Sequence, residues 1–241
     1  DATGSTAAEL TTISNATTVA IDASAVTGLA SDTAANIKTL LTAGNDTAQF
    51  TGASFGSLAT AVVSDTTLSG SDLAGAIDQA NTATGGTGTV FTISAVNTIT
   101  GSEADFTDLL TDEGNTQIEI TDQTLTVNTG EVSVSTARAL SQTTTGTVTG
   151  TITSGTTIAA MLDSSSGLTE TDAYTITIAA GDAEATATDL TALYGKTSVA
   201  VDASAVTQIT GTVAEANIVY AAGSSEITGL GNEIVVTTES S

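Results

Sequence analysis

Four aspartates offer carboxylate oxygens that suit a calcium ion: Asp22, Asp202, Asp105 and Asp108. Asp22 and Asp202 each directly follow a strand-like run, and Asp105 and Asp108 fall in one helix-like run. Calcium prefers hard oxygen ligands, so these four residues are candidate metal ligands, although the chain has no EF-hand loop. The alternative for Asp22 and Asp202 is a turn in which the carboxylate accepts a hydrogen bond from the backbone just beyond it. Calcium is therefore the one cofactor for which the sequence offers ligands.

Other site chemistry has little support. The chain contains no His and no Cys, which excludes a nucleophile activated by histidine. Residues 195–197 (Gly-Lys-Thr) resemble the end of a phosphate-binding loop, but Leu190 stands where that motif requires Gly. Paired carboxylates for glycoside hydrolysis are available, but the chain has no Trp and little Tyr to stack a sugar. We therefore expect a protein that is not an enzyme and has no catalytic residues.

The charge of the chain is strongly one-sided. It carries 27 acidic and three basic residues, a net charge of −24. Phosphate neutralisation needs clustered Lys and Arg, so we expect no nucleic-acid partner. No apolar run approaches the ~20 residues of a membrane-spanning helix, so we expect no membrane insertion. Self-repulsion at this charge is screened in a salty medium, which leads to the hypothesis of saline surroundings.

The chain nearly repeats one of its own segments. Residues 6–27 and 186–207 are offset by 180 positions, and 13 of the 22 aligned residues are identical. The replacements are mild, as in Ile13 to Leu193 and Ile21 to Val201. A repeat of this kind is typical of a structural array rather than a single catalytic pocket. Matching apolar residues such as Leu10 and Leu190, or Val19 and Val199, are predicted to lie in the core.

Short segments in which apolar residues recur at every second position alternate along the chain with segments in which they recur at helical spacing. A period of two predicts strands at 17–22, 47–51, 88–93, 116–120, 147–153, 174–178, 197–202 and 233–237. A helical period predicts helices at 7–13, 32–42, 72–81, 103–111, 136–141, 157–162, 187–194 and 213–221. Capping boxes, in which Ser or Thr is followed three residues later by an acid, predict helix starts at Thr6, Ser102, Thr186 and Thr212. The stretches 52–70 and 121–135 fit this alternation poorly.

Strands alternating with short helices predict parallel pairing with right-handed crossovers. Strand centres between Val90 and Val199 are spaced 23 to 30 residues apart, near the length of one solenoid coil. The expected fold is therefore an α/β or β-rich repeat, a parallel β-solenoid of leucine-rich-repeat-like type. The alternative is a β-sandwich or two small α+β domains. Residues 1–241 would form a single elongated repeat domain, with 121–135 as a possible internal boundary.

The repeated segment carries a resemblance. VDASAVTQITGT at residues 201–212, preceded by TATDLTALYGKT, is similar to repeats in very large cell-surface proteins of cyanobacteria, including giant motility and adhesin-like proteins. The close match covers 6–27 and 186–212, whereas the middle of the chain matches only in general character. This resemblance implies secretion, a location outside the cell or at its surface, and a structural or adhesive role. It supplies no catalytic residues.

We therefore expect an extracellular structural protein, either a solenoid module or a subunit of a self-assembling filament or surface layer. Its partner would be another copy of itself, as a homopolymer or in tandem. The final strand candidate, residues 234–236, would either cap its own sheet or add to the sheet edge of a neighbouring copy. The alternative function is a calcium-dependent adhesin module whose acidic loops contact a glycan or another cell surface.

Overall fold

Short helices alternate with short parallel strands along the chain. The structure is a computed structural model that describes residues 4–46, 48–52, 54–86, 88–169, 172–223 and 225–238. The helices are α1 (Ala7–Asn15), α2 (Ala34–Gly44), α3 (Gly70–Thr84), α4 (Glu103–Gly114), α5 (Val134–Thr143), α6 (Ile158–Leu162), α7 (Ala187–Tyr194) and α8 (Val213–Ala222). The strands are β1 (Gly28–Asp32), β2 (Thr60–Val63), β3 (Thr67–Ser69), β4 (Val90–Thr92), β5 (Thr98–Ser102), β6 (Thr124–Thr129), β7 (Val148–Thr151), β8 (Ala173–Thr175), β9 (Glu184–Thr186), β10 (Val201–Asp202), β11 (Gln208–Gly211), β12 (Ile227–Thr228) and β13 (Ile234–Thr237).

Side-chain caps fix where the helices begin. The predicted capping boxes are confirmed at Thr6, Ser102 and Thr212, where the hydroxyl and the acid three residues later each accept a backbone N–H. Thr186 caps α7 by accepting the N–H of Asp189. These caps satisfy N–H groups that have no partner within the helix, so the helix starts could be predicted from the sequence.

Carboxylates from further along the chain also accept hydrogen bonds from two helix starts. Asp32 accepts a hydrogen bond from the N–H of Ala8 in the first turn of α1, at 2.7 Å. Asp65 does the same for Ala34 of α2, at 2.8 Å. An acid at the positive end of a helix is favourable, and here it comes from a residue 24 or 31 positions further along the chain. Some of the acidic side chains that give the protein its negative charge therefore stabilise helix starts.

Contacts divide the chain into two compact units, Asp1–Thr124 and Leu125–Ser241. In the first unit, β1, β2 and β4 form a parallel sheet in that order, and β3 pairs in parallel with β5. Helix α2 packs against both α1 and α3, and α3 packs against α4. The largest fully buried side chains of this unit are Ile37, Leu40, Leu41, Phe50, Phe55, Leu73, Ile77, Phe91, Ile99, Phe106 and Leu109.

The second unit is built in the same way. Strand β7 pairs in parallel with β6 and with β8, strands β9, β11 and β13 form a parallel sheet in the order β13-β11-β9, and β10 pairs with β12. Helix α7 packs against α6 on one side and α8 on the other. In the described part of the chain, no helix combines the length and the apolar character needed to cross a membrane.

The prediction of a parallel β-solenoid of leucine-rich-repeat-like type is wrong. The described residues form an α/β structure with several separate parallel sheets, and they contain no closed or solenoid sheet. Strands β2 and β3 follow each other in the chain but belong to different sheets, as do β10 and β11. Because the chain moves to a new sheet after only a few residues, the strands do not stack into one continuous ladder. Parallel pairing with alternating helices also differs from the alternatives, a β-sandwich or two small α+β domains.

The strand predictions were only partly right. Predicted strands at 88–93, 147–153, 197–202 and 233–237 contain β4, β7, β10 and β13, and the predicted strand at 174–178 overlaps β8. The run 17–22 instead contributes a single bridge from Ile21 to Phe50 in the run 47–51, whose residue 47 lies outside the described residues. The run 116–120 forms no strand in the described chain. The core prediction is wrong for Val19 and Val199, which are both exposed.

Candidate functional site

Asp22 and Asp202 adopt the same turn in the two copies of the repeat. The Oδ1 atom of Asp22 accepts the N–H of Ser24, and Oδ1 of Asp202 accepts the N–H of Ser204, each at 2.9 Å. Hydrogen bonds from the Ser24 hydroxyl and N–H lower the pKa of Asp22. The two aspartates lie in different compact units. Each carboxylate therefore caps its own turn.

Asp105 and Asp108 lie together on α4 but have different surroundings. Oδ2 of Asp105 accepts the N–H of Ser102 at 2.7 Å and its hydroxyl at 2.8 Å, which completes the capping box. Asp108 is exposed one turn later. In the described residues, no group of three or more acidic side chains is arranged to hold a metal ion. The four candidate ligands thus do not form one calcium site there.

Helix α4 also carries a carboxyl group with an unusual pKa. Asp112 is buried, and its burial together with the negative charges of Asp78 and Asp108 raises its pKa from 3.8 to about 6. Burial without a counter-charge disfavours the ionised form. Such a group is a candidate for proton transfer, but it is also what results when a helix buries an acid without a basic partner.

A groove of about 710 Å³ lies in the first unit beside β4. Phe91 and Ile93 form part of its apolar wall, and Glu113, Glu119 and Asp122 supply its acids. Burial, and to a lesser extent the charge of Glu119, raises the pKa of Glu113. The described lining residues include no basic side chain. The groove is thus suited to an uncharged or cationic group rather than an anion.

A buried polar network joins α5, β7 and β8 in the second unit. The Ser141 hydroxyl lies 2.5 Å from Oδ2 of Asp172, and Oδ1 of Asp172 accepts the N–H of Val148 at 2.8 Å. The Tyr174 hydroxyl lies 2.8 Å from that of Ser141 and donates to the carbonyl of Ala137 at 2.9 Å. The network therefore cross-links α5, β7 and β8 through hydrogen bonds of buried side chains.

The end of the second unit has an open sheet edge. In the described chain, β13 pairs with β11 on one side and is the last strand of its sheet. Ile234 and Thr238 donate their N–H groups towards β11, to Thr207 and Gly211. Because backbone groups alternate along a strand, the N–H and C=O of Val235 and Thr237 point away from it. The backbone there is ready to pair with a further strand.

Apolar side chains accompany this open edge. Ile234 is 65% exposed, and Val235 and Val236 are exposed beside it. On α8, Ala216 and Val219 face the core, while Ile218, at 49% exposed, and Tyr220 face outwards. A helix that is apolar on both faces is typical of an element covered on both sides. We refer to α8, β12 and β13 together as the C-terminal layer.

No family model, curated protein or solved structure matches this chain.

The sequence analysis identified residues 234–236 but missed the apolar outer face of α8. The signal was present in the run VAEANIVYAA, where Val213, Ile218 and Tyr220 do not lie on the face formed by Ala216 and Val219. A test for apolar residues on both sides of each predicted helix would have found it.

Proposed function

We propose that this protein is an extracellular structural protein that assembles with copies of itself into a filament or surface layer, using the C-terminal layer as a contact surface. The observation that carries the proposal is the open edge of β13 with its exposed Ile234, Val235 and Val236. A flat apolar edge strand readily pairs with another chain, and soluble proteins usually protect it with Lys, Pro or a covering element. The chain has no Pro, and its two lysines, Lys38 and Lys196, lie far from β13 in the sequence.

The composition supports the same proposal. Exposed aliphatic residues lie on both α8 and β13, and exposed apolar surfaces in soluble proteins are usually contact sites. In this proposal the protein is not an enzyme and binds no nucleic acid, since it lacks His, Cys and clustered basic residues. Its net charge of −24 opposes association at low ionic strength, so assembly belongs to a saline environment.

Sedimentation of Val235→Pro in a saline buffer tests this proposal. Proline removes the outward N–H of residue 235 and leaves the inward N–H groups of Ile234 and Thr238 in place. We expect wild-type protein to sediment as large assemblies and Val235→Pro to remain a folded monomer. Val235→Thr, which keeps the N–H and a high strand propensity, is the matched control and should assemble. Monomeric wild-type protein at all concentrations would refute the proposal.

The calcium-dependent adhesin gives a different result in the same experiment. Assemblies held by strand pairing and apolar contact should persist in EDTA. Assemblies that dissolve in EDTA while the fold is retained would instead support a calcium-dependent contact.

A further inference from the structure

The repeat provides two copies of one local structure. Helices α1 and α7 occupy equivalent positions and begin at the equivalent caps Thr6 and Thr186. Asp22 and Asp202 make the same turn, and β1 and β11 follow at the same offset. The neighbours of one repeat segment therefore show what the other repeat segment is shaped to contact.

In the second unit, the preceding elements of the chain cover one side of this repeated structure. Helix α6 packs against α7. The N–H of Ser198 donates to the carbonyl of Asp172 at 2.7 Å. The backbone N–H of Asp202 donates to the carbonyl of Ile176, and the backbone carbonyl of Asp202 accepts the N–H of Ile178, both at 2.9 Å. Helix α6 and residues 172–178 thus form a covering segment in front of α7 and β10.

In the first unit, the same side is open. Ile13 is 55% exposed, whereas Leu193 at the equivalent position is 0% exposed. Thr17 is exposed, whereas Thr197 is buried. Within the described part of the chain, the N–H groups of Thr18 and Asp22 have no hydrogen-bond partner, although their equivalents Ser198 and Asp202 are bonded. We call Ile13, Thr17, Thr18 and Asp22 the N-terminal face.

We propose that the N-terminal face binds the C-terminal layer of a second copy of this chain. The inference rests on the proposed self-assembly and adds which two surfaces meet. In the contact, α8 of one copy takes the position against α1 that α6 holds against α7. Strand β12 takes the position against Asp22 that residues 176–178 hold against Asp202. The interface is therefore a continuation of the chain's own helix-on-helix and strand-on-strand contacts.

The backbone of β12 fits this register. The carbonyls of Glu226 and Thr228 accept hydrogen bonds from Val201 and Ala203, so both point towards β10. By alternation, the carbonyl of Ile227 points away from β10. It can accept the unpartnered N–H of Asp22 in the second copy, as the carbonyl of Ile176 accepts that of Asp202. Ile227 and Ile176 are thus equivalent in residue type and in role.

The proposed contact is heterologous, because it joins two different surfaces. A heterologous contact that does not close into a ring extends into an open filament. Each copy would add its C-terminal layer to the N-terminal face of the next, so growth continues at both ends.

Mixing two blocked variants tests the pairing. Ile13→Asp places a charge on the N-terminal face, and Ile218→Asp places one on the outer side of α8. We expect each variant alone to be monomeric in saline buffer. An equimolar mixture should form a discrete heterodimer of twice the monomer mass, since each variant retains the surface that the other lacks. Ala104→Asp, at an exposed position of α4, adds the same charge and should assemble like the wild type.

The outcomes separate this inference from the proposed function. If wild-type protein assembles and Ile218→Asp does not, but Ile13→Asp still assembles, the proposed function stands and the N-terminal face is not the partner surface. Homodimers of Ile13→Asp alone would indicate contact between two C-terminal layers and also overturn the inference. If Ile13→Asp fails to fold, Val19→Asp is the substitute that blocks the N-terminal face, because Val19 is exposed beside the face and lies outside any helix.

Discussion

A Cβ atom placed on Gly44 would lie 2.5 Å from Cδ2 of Phe55, so the last residue of α2 has no space for a side chain. Phe55 is fully buried, with a backbone φ of 60° that non-glycine residues rarely adopt. Its ring packs against Phe50, with 5.3 Å between the ring centroids. Gly44 is therefore required by packing rather than by its own backbone conformation.

Replacing Gly44 with Ala should destabilise the first unit. The added methyl group must displace the Phe55 ring, and overpacking of this kind costs about 1–3 kcal/mol in the free energy of unfolding. Gly114→Ala is the matched control, because Gly114 ends α4 with no atom within 4 Å of its Cβ position. That change should stabilise the protein by up to about 1 kcal/mol. Denaturant unfolding measures both, and equal stability of the two variants would contradict the packing argument.

Asp112→Asn should stabilise the protein at pH 7. The pKa of Asp112 is raised to about 6, so at pH 7 the folded protein holds this carboxyl ionised against its burial and against the charges of Asp78 and Asp108. Removing the charge should raise the free energy of unfolding by about 1–2 kcal/mol, allowing for partial solvent screening. Asp108→Asn, at an exposed position, is the control and should give a smaller gain.

The pH dependence of that gain follows from linkage. Between pH 6 and about 4, the folded protein binds a proton at Asp112 that the unfolded chain, with an ordinary pKa of 3.8, does not yet bind. The stability of the wild type relative to Asp112→Asn therefore rises as the pH falls through this window. The free energies of unfolding of the wild type and of Asp112→Asn, measured at pH 7, 5 and 4, should therefore approach each other as the pH falls. A difference between the two that stays constant would contradict the raised pKa.

Ser141→Ala should destabilise the second unit. The change leaves Oδ2 of the buried Asp172 without its 2.5 Å partner, and an unsatisfied buried group costs about 1–3 kcal/mol. Ser135→Ala, at an exposed position of the same helix, is the control and should change the stability by less than about 0.5 kcal/mol. Thermal unfolding of both variants checks this. Equal melting temperatures would show that the network does not stabilise the fold.

Stability should also increase with salt. Self-repulsion at a net charge of −24 opposes the compact state, and salt screens it once the Debye length falls to about 10 Å near 0.1 M. The melting temperature should therefore rise between low and high NaCl. A melting temperature that falls over this range would contradict the hypothesis of a saline environment.

The helices could be predicted from the sequence because their start signals are local. Thr6, Ser102 and Thr212 each stand three residues before an acid, and each begins a helix as predicted. Strands such as β5 and β11 were missed because they are short, contain Gly, and end within a residue of a helix cap. Gly is depleted in strands, so Gly101 and Gly211 indicate a turn when the sequence is read alone, and only pairing with a neighbour makes these segments strands.

The candidate surfaces depend on tertiary contacts that the sequence does not reveal. Ile13 and Leu193 lie in nearly identical segments, yet one is exposed and the other is buried. The difference is the covering segment in front of α7, which has no counterpart in the described residues before α1. Similar residues predict the same local structure, but burial is decided by the neighbouring elements.

Electron microscopy of the purified chain in saline buffer checks self-assembly through the C-terminal layer. We expect filaments or sheets for the wild type and isolated particles for Val235→Pro. Isolated particles of the wild type at every concentration and salt level would contradict it.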